Sequence, residues 1–100
     1  MENREKNDIK LKFGLALRNA VADSKLSLRE LSASSEMEFS NVQRIAAGKV
    51  NLAITSLIAL SEGLNISPSK LLFYFEKITE EELKDAKETM KASAKRKKKK

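Results

Sequence analysis

The 100-residue sequence has no cysteine, no histidine and no tryptophan. Without cysteine there is no disulfide, no thiolate nucleophile and no cysteine-ligated zinc. Without histidine the chain lacks the side chain most used for proton transfer near neutral pH and for metal binding. Glutamate and lysine are plentiful, but they lie in helical surface patterns that converge on no recognisable site. The sequence therefore predicts no enzyme, no catalytic residue, no metal and no cofactor. One proline and three glycines leave little room for turns and point to helix. No apolar run approaches the roughly 20 residues needed to span a bilayer. The mixed-charge start Met1-Glu2-Asn3-Arg4-Glu5-Lys6 is followed by no signal-peptide core. The expectation is a cytoplasmic protein with no membrane partner.

The charge is uneven. The net value is +6, from 20 basic and 14 acidic residues. Residues 93–100 carry six basic groups and no acidic one, so the rest of the chain is formally neutral. The basic character belongs to a tail, Lys95-Arg96-Lys97-Lys98-Lys99-Lys100. Three readings of it stay open: a solvated end, non-specific contact with phosphates, or another polyanion such as RNA or a membrane surface.

Apolar spacing organises the remainder. Ile9, Phe13, Leu17, Ala20 and Val21 fall three and four apart, predicting a helix over 9–23 behind a flexible stretch, 1–8. Ser27 and Glu30 have capping-box spacing and open a second, short helix with Leu28 and Leu31 inward. After the tight connection Glu36-Met37-Glu38, a third helix is expected over 39–47 with Val42 and Ile45 inward. Gly48 stands where a helix end wants a left-handed residue. A fourth helix is expected over 54–63 along Leu57, Leu60 and Leu64, with Asn65 as its left-handed cap. Ser67-Pro68 starts a fifth. Thr79 and Glu82 form a second capping box, with Leu83, Ala86 and Met90 on one face of an amphipathic helix over 78–92. Residues 93–100 are expected to be disordered. The helix-turn-helix body spans 9–77.

Two short helices joined by about three residues match the helix-turn-helix unit, in which the first helix supports the second so that its outer face can enter a major groove. Ser40, Asn41, Gln43 and Arg44 would face outward. Their chemistry suits groove edges: arginine forks onto guanine, asparagine and glutamine onto adenine, and serine onto several edges.

At this point the stretch from Phe13 to Leu72 resembles the Xre-type helix-turn-helix family of phage repressors, Cro proteins and small bacterial regulators. The matching pieces are Leu26-Ser27, Glu30-Leu31-Ser32, Met37, Val42-Gln43-Arg44-Ile45, Gly48-Lys49, Asn51, Leu57, Leu60, Leu64-Asn65-Ile66-Ser67 and Leu71. The resemblance implies an all-α, five-helix lambda-repressor-like bundle, here with an additional C-terminal helix and a lysine-rich tail. It implies a nucleoid-associated transcriptional regulator that binds double-stranded DNA at a palindromic operator as a homodimer. Carried over by position, base contacts fall to Phe39, Ser40, Gln43 and Arg44, with Asn41 beside them. Phosphate contacts fall to Arg29, Lys49 and Asn51. Restriction–modification controllers and antitoxins have similar small domains, and nothing in the sequence selects among these uses or names an effector or partner protein.

Three departures stand out. Leu28 occupies a place where relatives often have a phosphate-clamping glutamine, leaving the backbone amides there and Arg29 as substitutes. Phe39 replaces a commonly polar reader, and packing inward competes with contact to a thymine methyl. Where many relatives bury an arginine–glutamate pair late in helices one and three, this chain has Val21 and Ala46. Loss of both partners can be neutral or stabilising, so the double replacement reads as an alternative core with the two residues in contact. Five consecutive apolar residues, Leu71 to Phe75, cannot all face inward on a helix. Two or three must face out or face a partner, so a dimer contact through Phe73, Tyr74 or Phe75 is expected, with cover by the sixth helix as the other possibility. The main alternative function is a helix-turn-helix fold used as a protein-interaction or assembly module, its tail binding polyanions non-specifically.

Overall fold

The computed structural model describes the backbone of residues 3–98 and the side chains of residues 5–89. Six α-helices follow in order: α1 (Asn3–Ser24), α2 (Leu28–Ser34), α3 (Phe39–Ala46), α4 (Ile54–Gly63), α5 (Pro68–Lys77) and α6 (Glu80–Lys98). No strand occurs among the described residues. The fold is the expected all-α helix-turn-helix bundle.

Caps set the helix starts. Ser27 Oγ accepts from the Glu30 amide at 3.0 Å, and the Glu30 carboxylate accepts from the Ser27 amide at 2.9 Å, completing the capping box of α2. Ser67 Oγ accepts from the Lys70 amide at 3.1 Å beside Pro68 in the first turn of α5. Thr79 and Glu82 satisfy each other's amides in the same reciprocal way.

The helix ends explain how the chain manages with so few glycines. α1, α2, α3 and α4 each stop on a residue in the left-handed region: Lys25 at φ 60°, Glu36 at 55°, Gly48 at 74° and Asn65 at 58°. At each stop the next residue's amide reaches back to a carbonyl in the last turn, as in Leu26 to Val21, Met37 to Ser32, Lys49 to Arg44 and Ile66 to Ser61. This is the Schellman pattern, which ordinarily selects glycine. Gly48 and Asn65 match the expectation; Lys25 and Glu36 do the same task with side chains that disfavour it.

The core gathers Phe13, Leu17, Ala20 and Val21 of α1 with Leu31, Val42, Ile45, Ala46, Leu57, Leu60, Leu64 and Leu71. α1 is the backbone of the bundle, packing on α5, α3 and α6, while α2 packs on α3 and α4. Val21 and Ala46 both lie in this core. Ile9, read as part of the inner face, is instead 43% exposed, while Leu11 and Ala16 are buried.

α1 begins at Asn3, within the stretch 1–8. Asp8 there meets Lys87 of α6 at 2.8 Å. Both side chains are solvated, so this pair adds little to stability. α6 runs to Lys98, past the bound of 92 drawn from the sequence. Leu83 and Ala86 are half-buried on the expected stripe. The Met90 side chain and those of Lys95 to Lys100 lie outside the described residues.

Candidate nucleic-acid interface

α2 and α3 form the helix-turn-helix, with Ser35 to Glu38 as the turn. Leu31 and Val42 are fully buried, and Ile45 and Ala46 nearly so. Met37 packs partly against the same core. With that face turned in, Ser40, Asn41, Gln43 and Arg44 are all exposed along the outside of α3. These four expected base-contacting residues therefore share one free surface. Lys49 and Asn51, in the loop after α3, are also exposed. Val50 and Leu52 between and beyond them turn inward against the core.

α1 holds α3 from behind. Gly14 lies so close to the end of α3 that a Cβ there would stand 2.6 Å from the Ala46 carbonyl oxygen. One turn further along, Arg18 Nε donates to that same oxygen at 2.8 Å. Neither residue is among the sequence candidates. An isolated glycine inside a helical pattern is a recognisable signal of close packing; an exposed arginine on α1 gives no such sign.

The first residue of α3 differs from the four behind it. Phe39 is half-buried, and the Arg29 guanidinium lies over its ring, 4.1 Å from the centroid. Arg29, expected at a phosphate, and Phe39, expected at a base, are thus stacked on each other at the mouth of the turn. Glu38, preceding Phe39, gives α3 no side-chain cap.

The proposed dimer residues divide. Tyr74 donates its phenol hydrogen bond to Asp23 Oδ2 at 2.7 Å and packs partly against the core. Phe75 also packs there, its ring 6.5 Å from that of Phe13, with Lys12 above it. Tyr74 and Phe75 are thus half-buried within the chain, beside residues of α1. Phe73 remains outward, 52% exposed, beside Leu72 at 42%. Leu72 and Phe75 border an open apolar groove of about 420 Å³, with Ile9, Phe13, Val50 and Leu52 on its other sides.

The described residues contain no acidic cluster able to hold a metal ion. None of the helices is long and apolar enough to cross a membrane, among the described residues.

No protein-family model and no curated protein sequence matches the chain. Solved structures do. The chain is similar to the restriction-modification controller protein C.AhdI from Aeromonas hydrophila, with 30% identity and a TM-score of 0.59 over 61% of this chain and 92% of the controller. It also shares its fold with the clp gene regulator ClgR from C. glutamicum, at 24% identity and a TM-score of 0.64 over 68% of this chain and 88% of the regulator.

Proposed function

Because the chain belongs to the Xre-type helix-turn-helix family, we propose that it is a sequence-specific, DNA-binding transcriptional regulator that engages a palindromic operator as a homodimer. One observation carries this reading. α3 buries Val42, Ile45 and Ala46 and leaves Ser40, Asn41, Gln43 and Arg44 free on its other side. A helix braced on one face with a contiguous row of amide, hydroxyl and guanidinium groups on the other fits a major groove.

In this reading Ser40, Asn41, Gln43 and Arg44 contact base edges, while Arg29, Lys49 and Asn51 contact phosphates. The two subunits meet around Leu72 and Phe73, the apolar side chains of α5 that the chain's own core leaves open. The Lys95–Lys100 tail adds non-specific attraction to the duplex, since each neutralised phosphate releases counterions.

Selection from a randomised duplex pool, followed by gel shifts of the selected and shuffled sequences at about 150 mM salt, tests the proposal. Preference for the selected sequence, retained after residues 95–100 are deleted, supports a regulator. Binding that ignores shuffling and vanishes with the tail points instead to an assembly module. Sedimentation at high protein concentration tests the homodimer; a monomer there removes it.

A further inference from the structure

Arg29 is the second residue of α2 and Phe39 the first of α3, so their stack bridges the two helices at the mouth of the turn. A guanidinium over an aromatic face is held by the ring's negative quadrupole. Its flat side is then closed, but the N–H donors lie in its plane and point outward from the edge. Among the described residues, the Arg29 side chain meets no carboxylate at ion-pairing distance and no hydrogen-bond acceptor. The fork is therefore biased in direction and has no partner among the described residues. Phe39 is correspondingly engaged: it is half-buried, and one face of its ring is covered by the cation.

We propose that Phe39 is a positioning residue for Arg29, presenting the guanidinium edge to a DNA backbone phosphate at the lip of the groove, and that it does not read a base. This rests on the DNA-binding reading above. An exposed arginine normally loses rotamer freedom when it clamps a phosphate, and that loss weakens binding. The Phe39 ring imposes much of the restriction before DNA arrives. It also accounts for an arginine here in particular, since a lysine ammonium has neither the planar face nor the fork.

The test uses the full chain and the duplex that the wild type selects from a randomised pool. Phe39→Leu is expected to weaken binding about three- to tenfold, without changing the selected sequence. Phe39→Tyr, which keeps the ring, stays within about twofold of wild type. In an Arg29→Ala background, Phe39→Leu has little further effect, because the group it positions is gone. In the DNA-free protein, ring-current shifts of the Arg29 side-chain protons vanish in Phe39→Leu and persist in Phe39→Tyr. If Phe39→Leu fails to fold, Phe39→Met fills similar volume without an aromatic face and carries the same comparison. A changed base preference, or an equal loss with and without Arg29, overturns the proposal and makes Phe39 a reader. A wild type that binds no duplex overturns the regulator itself, an outcome distinct from a wild type that binds and variants that do not differ.

Discussion

Gly14→Ala sets two rules of helix chemistry against each other. Inside a helix, glycine to alanine ordinarily stabilises by about 1 kcal/mol. At this position the new Cβ would lie 2.6 Å from the Ala46 carbonyl oxygen and 3.0 Å from both the Gly48 nitrogen and the Ile45 carbonyl oxygen. All three are backbone atoms, so no rotamer change relieves the contact. α1 and α3 must separate by a sizeable fraction of an ångström. Overpacking of this kind costs about 1–3 kcal/mol. The same separation stretches the Arg18–Ala46 hydrogen bond, now 2.8 Å, and a charge-assisted bond contributes about 1.5–3 kcal/mol when intact. Taking the middle of the clash range and about half of the bond, then subtracting the propensity gain, leaves a net loss of about 2 kcal/mol. In a domain of this size that lowers the melting temperature by about 8–16 °C. Thermal unfolding followed by circular dichroism measures it. Asn19→Ala, on the exposed side of the same helix, is the control and is expected to raise stability by a few tenths of a kcal/mol. A Gly14→Ala protein melting at or above wild type would refute the close-approach argument.

Further outcomes follow from the same geometry. Val21→Arg places a charge in an apolar core where Ala46 offers no partner; it should cost about 3 kcal/mol in urea unfolding, and adding Ala46→Glu should recover much of that. An unchanged melting temperature for the single variant would sink the idea of an apolar replacement pair. Lys25→Gly relieves a left-handed lysine worth about 1–2 kcal/mol of strain, while glycine's freer unfolded state takes back about 0.4–1, so a gain of about 0.5 kcal/mol is expected. A loss in the same urea titration would show that the lysine contributes contacts beyond its backbone shape. The hydrogen bond to Asp23, then burial, then the Asp23 charge hold Tyr74 above its ordinary pKa of 10.0. The bond's contribution is therefore complete below pH 10.0 and fades as pH climbs through the higher folded value. Tyr74→Phe should lose less stability than wild type between about pH 9 and pH 11; parallel alkaline losses would disprove the linkage.

Much of this molecule is written in local chemistry. Apolar spacing and the Ser27–Glu30, Ser67–Pro68 and Thr79–Glu82 signals locate α2 to α6 at their starts, because each is settled within three or four residues. The outward row Ser40, Asn41, Gln43 and Arg44 follows from the inward row on the same helix. What escapes is settled at a distance. The first turns of α1 have no apolar signature, and the Asp8 contact with Lys87 pairs residues from opposite ends of the chain. Lys25 and Glu36 carry no left-handed preference; the packing on either side dictates their backbone. Tyr74 and Phe75 read as surplus hydrophobes until Asp23, Phe13 and Lys12 are known to stand beside them. The Arg29–Phe39 stack likewise joins two residues that a one-dimensional reading assigns to different partners.

The bracing of α3 makes it mechanically a cantilever. Its C-terminal end is clamped to α1 through the Gly14 close approach and the Arg18 hydrogen bond. Its N-terminal end has no side-chain cap and is tied to α2 at the surface by one solvated cation–π contact, worth about 0.5–1 kcal/mol. An eight-residue helix is about 12 Å long, so a tilt of about 5° at the clamp moves the far end by about 1 Å. That is enough to make or lose a hydrogen bond. In the proposed complex the N-terminal tip is thus the compliant end, able to trim its position against an uneven surface. The stiff end fixes the axis about which it does so.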